Sequence, residues 1–165
     1  MLAFNVVSGN PAPNTATISN FETDGTLGAA STTGGPVTGT LPGIVTIADS
    51  AFFNELLQNV TLGNTIAFTL QLTDNFEPPA PDQFSLFLLD PSTLLAFAPT
   101  SDPTGADALF AVDLTGTGAG ALQVFSPLVR PATTVTVNAI PEPASLILLA
   151  TGICGLLRAS ARRAP

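Results

Sequence analysis

The sequence predicts an all-β fold, an antiparallel β-sandwich that can take a jelly-roll-like form, followed by one C-terminal hydrophobic helix. Three observations predict it. Most of residues 2–138 consists of short runs rich in Val, Ile, Thr and Phe, the residues that suit a pleated, half-buried surface. The runs are separated by turn residues, supplied by 14 Gly and 15 Pro. No convincing long helical pattern occurs before residue 140, and a continuous apolar stretch follows at Ala144–Leu157.

The elements follow in order. Leu2–Val7 is a first strand, closed by Ser8-Gly9-Asn10-Pro11. Asn14–Phe21 is a second, alternating through Ala16 and Ile18 and reaching Phe21 after Asn20. Residues 24–36, dominated by Gly, Thr and Ser, are expected to be a loop. Val37–Leu41 and Gly43–Ala48 are two strands joined at Pro42-Gly43. Ser50–Val60 admits two readings. Phe52, Phe53, Leu56, Leu57 and Val60 have helical spacing, with Asp49 or Ser50 as a cap, yet both flanks are strand-like.

Thr65–Thr73 alternates cleanly as a strand, with Ile66, Phe68, Leu70 and Leu72 on one face. Asp74–Pro81 is a loop. Gln83–Leu89 and Leu94–Ala98 are expected to form a hairpin across Asp90-Pro91-Ser92-Thr93. Ala108–Leu114 and Ala121–Phe125 are strands on either side of a glycine-rich turn at 116–120, and Thr133–Val137 is a last strand or a linker. The expected organisation is a β-sandwich domain over 1–131, a linker over 132–140 and a tail over 141–165. The eleven Phe fall mostly in the strands, where they serve as core.

Charge narrows the function. Charged residues make up 10% of the chain, and there is no Lys. Residues 1–139 hold eleven acidic side chains against Arg130 alone, a net of −10, while the remainder holds Glu142 and three arginines. A body this acidic does not neutralise phosphates, so nucleic acid is excluded as a partner. The absence of His and Lys leaves a Ser or Cys nucleophile without a base, and one Cys with no His cannot build a zinc site. Cys154 sits in the apolar tail, so the body has no disulfide. Carboxylate chemistry and oxygen-ligand metal sites stay open. Asp102 and Asp107 flank a Pro-Thr-Gly turn, and Asp74, Glu77 and Asp82 cluster in a loop. No twelve-residue calcium-loop pattern is present, and Asp is a favoured turn residue, so turn chemistry explains both sets. No spacing marks a glycosidase-like carboxylate pair. The expectation is therefore no catalytic residue, no metal site and no cofactor. Asn59-Val60-Thr61 matches a glycosylation sequon, a weak signal.

The tail has three parts in a fixed order. Pro141-Glu142-Pro143 stops any helix from extending toward the body. An uncharged stretch follows, Ala144–Leu157, containing Leu146, Ile147, Leu148, Leu149, Ile153 and Leu156. Arg158, Arg162 and Arg163 come last. As a helix the stretch covers about 21 Å, against a hydrocarbon core of roughly 30 Å. Ala159 to Ala161 and snorkelling arginines make up the difference. The segment has no polar face, unlike a surface helix of a globular domain. The arginines are expected on the cytoplasmic side and the body outside.

This pattern resembles the PEP-CTERM sorting signal of Gram-negative bacteria, over about residues 140–163. The resemblance implies recognition by exosortase, an integral-membrane cysteine-type transpeptidase-like protease, with Pro141, Glu142 and Pro143 as recognition positions. It also implies transient residence in the inner membrane, with the lipid bilayer as a partner, then delivery to the cell surface or extracellular polysaccharide matrix. The body is similar to the extracellular domain of one group of such proteins. The matching pieces are Asn14–Phe21, Ser50–Glu55, Phe84–Asp90 and Thr100–Leu109. That likeness carries no activity and favours a strand at Phe52–Val60. Export by this route needs an N-terminal secretory signal, and Met1–Val7 has neither a positive segment nor the length for one. The expectation is that the true start lies upstream. The expected role is structural or adhesive. The alternative is a carbohydrate-binding module in the matrix, against which the lack of Trp and Tyr counts.

Overall fold

The computed structural model describes residues 1–117 and 121–128. Ten strands run in chain order: β1 (Leu2–Val7), β2 (Thr15–Thr23), β3 (Thr26–Thr33), β4 (Val37–Gly39), β5 (Val45–Ala48), β6 (Phe53–Thr61), β7 (Ile66–Leu72), β8 (Asp82–Leu88), β9 (Phe110–Leu114) and β10 (Ala121–Val124). Among the described residues there is no helix. The strands form a six-stranded sheet, β10-β9-β8-β1-β6-β3, and a four-stranded sheet, β4-β5-β2-β7. Every pairing is antiparallel. The expected all-β sandwich is therefore present, and the chain passes repeatedly from one sheet to the other. The expected C-terminal helix, linker and tail lie outside the described residues.

β1 is central to the large sheet, between β8 and β6. Its alternation sends Leu2, Phe4 and Val6 into a shared core. Ala16 and Ile18 of β2, Val45 and Ile47 of β5, and Phe84 and Leu86 of β8 meet them there. The two layers are joined by aromatic contact. Phe4 of the large sheet meets Phe68 of the small sheet edge-on, with centroids 5.5 Å apart, and Phe68 stacks on Phe21 at 6.3 Å.

Local irregularities have identifiable causes. Ile18 and Phe21 both face the core although three residues apart, which breaks the strand period. A register shift between Ser19 and Glu22, with Asn20 in the left-handed region at φ 51°, absorbs the extra residue. Asn is among the residues that tolerate this conformation best.

Three expectations meet the structure differently. Residues 24–36 are not all loop, because Thr26–Thr33 form β3 at the edge of the large sheet. Only Leu27 on that strand turns inward, so no apolar alternation announces it. A shift between Leu27 and Ala30 marks a bulge, and the buried Gln58 donates to the Gly28 carbonyl at 2.9 Å. The open choice at Ser50–Val60 resolves as strand β6. Phe52/Phe53 and Leu56/Leu57 are neighbours that a strand sends to opposite faces. Leu56 enters the core, whereas Phe53, of opposite parity on the strand, is 37% exposed. The hairpin expected at Leu94–Ala98 is reduced to one bridge, Leu89 with Ala96. Asp90 accepts bonds from the Ser92 and Thr93 amides, and Leu94 takes φ 58°, so the chain turns and leaves the sheet.

Candidate functional site

The carboxylates singled out from the sequence separate in space. Asp74 accepts the Gly116 amide at 2.8 Å, Glu77 lies exposed in the loop, and Asp82 opens β8 with no solvent exposure. Asp102 and Asp107 serve the turn between them. Asp102 accepts the Thr104 amide and hydroxyl through Oδ1 and the Ala108 amide through Oδ2. Burial would push its carboxyl upward, but these bonds prevail and hold it below its ordinary value. Asp107, at φ 61°, accepts the Thr100 amide at 2.8 Å. Among the described residues no three acidic side chains converge on a common point.

Asp82 instead anchors a polar cluster at one end of the sandwich. Its Oδ1 accepts the Gly9 amide at 2.7 Å, the Asn10 amide at 3.1 Å and Asn10 Nδ2 at 2.9 Å. Its Oδ2 accepts Asn14 Nδ2 at 2.6 Å. Asn14, also buried, accepts the Asn75 amide at 2.8 Å and donates to the Asn75 carbonyl at 2.8 Å. The Asn14 amide in turn donates to Asp49 Oδ2 at 2.8 Å, so the end of β5 joins the cluster. Burial raises the Asp49 carboxyl, and its hydrogen bond to Asp82 raises it further. Two carboxylates are thus brought together, but both oxygens of Asp82 are occupied by this chain. The arrangement ties the chain around β1, β2, β5 and β8. Sequence reading missed Asp49 and misplaced Asp82. The usable signal was periodicity: Asp82 shares a face with Phe84 and Leu86.

Asp24 shows the opposite behaviour. Its exposed carboxylate accepts the Thr65 and Asn64 amides, at 2.8 and 2.9 Å, and these bonds lower its pKa to about 2. Stability supplied by Asp24 is present above its ordinary value of 3.8 and is lost as pH falls toward 2. Stability linked to Asp49 runs the other way: it is present below 3.8 and is lost as pH rises through the elevated folded value. NMR titration is expected to place the Asp24 carboxyl well below that of Asp49. Coincident midpoints would contradict both hydrogen-bond assignments.

A second feature lies on the outer face of the large sheet. Beyond β8 the chain folds back over this face, and Ala108, Ala111 and Phe125 bury against Phe87. Beside them opens a cleft of about 520 Å³ lined by Asn5, Phe87, Leu94, Leu95, Pro99 and Asp107, among others. Leu94 and Leu95 are 56% and 69% exposed. Asn5 projects outward from β1, yet it is only 7% exposed and its Oδ1 accepts no hydrogen bond. It sits in a row across the sheet, paired in register with Ser85 on β8 and Glu55 on β6. Burial raises the Glu55 carboxyl.

The described residues therefore define a β-sandwich with a clasped end and a cleft built on the outer face of its larger sheet. No protein-family model, curated protein or solved structure matches the chain. Pro141, Glu142, Pro143, the Ala144–Leu157 stretch and Arg158, Arg162 and Arg163 lie outside the described residues.

Proposed function

We propose that this chain is a non-enzymatic surface or extracellular-matrix protein of a Gram-negative bacterium, held transiently in the inner membrane and sorted by exosortase. The observation that carries the reading is the order Pro-Glu-Pro, uncharged apolar stretch, arginine cluster in residues 141–163. In this reading Ala144–Leu157 inserts as a helix, Arg158, Arg162 and Arg163 stay on the cytoplasmic side, and cleavage near Pro141-Glu142-Pro143 releases the body. The stretch is short for a permanent span, which suits an anchor that is later cut. The body supports a structural or adhesive role: a β-sandwich with few charges and a surface of Thr, Ser and Asn. Its ten antiparallel strands, divided between two sheets, are compatible with the finer jelly-roll-like assignment. Comparison of protein size and location in cells with and without exosortase is the test.

The second reading is a carbohydrate-binding module in the polysaccharide matrix. The cleft over Asn5 favours it, since it combines apolar walls with hydrogen-bond acceptors.

A further inference from the structure

We propose that the cleft between the outer face of the six-stranded sheet and residues 94–107 binds a neutral saccharide. This deepens the carbohydrate-binding reading and rests on it, and it is independent of how the protein is sorted.

The polar groups of the cleft call for donors. Asn5 Oδ1 is a buried acceptor without a partner, which costs free energy until a donor reaches it. A side-chain amide exchanges Oδ1 and Nδ2 by rotation about χ2, so Asn5 offers an acceptor or a donor to the space above it. Asp107 adds a carboxylate whose Oδ1 is engaged by the Thr100 amide, and a carboxylate accepts several bonds at once. Sugar hydroxyls supply donors at this density.

The remaining surface is apolar. Phe87 lies on the floor, and Leu94 and Leu95 form an exposed wall. Such side chains pack on the C–H faces of a pyranose ring. A cleft of about 520 Å³ falls in the range of small-molecule sites. The leucine wall is held by backbone bonds between Asp90 and Leu94 and Leu95, and the Asp107 side by the bonds from Thr100 to Asp107 and to the Ala108 carbonyl. Little ordering is then left for binding to impose.

Charge selects among sugars. None of the described residues carries a cationic side chain, so among them an acidic sugar would bring a carboxylate or sulfate to a negative surface with no guanidinium or lysine ammonium to pair it. A desolvated ammonium would meet one carboxylate among leucines, which does not repay its hydration. Neutral hexose units fit both constraints.

The experiment is calorimetric titration of the full chain, in a sugar-free detergent, with neutral, acidic and amino oligosaccharides. Saturable binding of at least one neutral oligosaccharide is expected. Asn5→Ala and Asp107→Asn should each weaken it by about tenfold or more. Asn5→Ala removes an unpaired acceptor and Asp107→Asn keeps an Oδ1 for Thr100, so thermal midpoints should hold. Leu95→Ser, a surface change, should weaken binding if either variant fails to fold. Binding indifferent to all three substitutions would overturn the site while leaving carbohydrate binding intact. Binding confined to acidic or amino sugars would overturn the ligand class. No saturable binding of any sugar would end both the site and the carbohydrate reading.

Discussion

Asp82→Ala is expected to destabilise the protein by about 3 kcal/mol or more, because it strands several buried donors at once. Asp82 has no solvent exposure and receives four hydrogen bonds, from Gly9, from both nitrogens of Asn10 and from Asn14. These partners come from the β1–β2 connection, so the loss loosens the link between the two sheets. Domains of this size are stable by only about 5–15 kcal/mol, so the change is a large fraction of the total. Asp82→Asn is the informative control. It keeps the volume and one acceptor oxygen, and should cost less. It also removes the neighbouring charge that helps raise the Asp49 carboxyl, so the Asp49 pKa should fall toward its ordinary value. Urea unfolding of the full chain measures the first effect and NMR titration the second. Equal stability of Asp82→Ala and the parent would mean that the cluster is not closed as described.

Phe4→Ala should cost about 3–5 kcal/mol, the usual range for removing a buried phenyl ring. Phe4 is fully buried at the centre of β1, and its edge contact with Phe68 joins the two sheets. Removal leaves a cavity where both layers meet, and a strand held on both sides by β6 and β8 has little freedom to collapse into it. Phe4→Leu fills much of that space and should cost markedly less. Because Phe4 and Phe68 touch, Phe4→Ala combined with Phe68→Ala should cost less than the sum of the two. Strict additivity in denaturant unfolding would contradict the packing of the core.

Most of the strand pattern was legible because it depends on local alternation. Leu2–Val7, the Ile66–Leu72 run and Gln83–Leu88 could be assigned from period alone. β3 could not, since its outward and inward residues are nearly all small and hydroxylated and its pairing partner β6 is remote in sequence. The ambiguity at Phe52–Val60 arose from adjacent apolar pairs, which fit a helical stripe as well as two strand faces. The polar clasp was half legible. Asp82 shares a face with apolar Phe84 and Leu86, which marks it as inward, but its meeting with Asp49 requires the ends of β5 and β8 to come together. Asn5 was not legible as a buried group. It faces outward between Phe4 and Val6, and it is buried with the segment after β8 folded back over that face.

The body and the tail bear on function in different ways. The body is a β-sandwich whose buried Asp82 and Asp102 carboxylates are committed to structural hydrogen bonds, which suits the proposed role of displaying a surface. In the proposed reading, the tail pattern governs where that surface is displayed. The most direct measurement is fractionation of cells that express the full chain with and without exosortase. The account predicts a shortened protein at the surface or in the matrix when exosortase is present, and a full-length protein retained in the inner membrane when it is absent. The same size and location in both strains would contradict it.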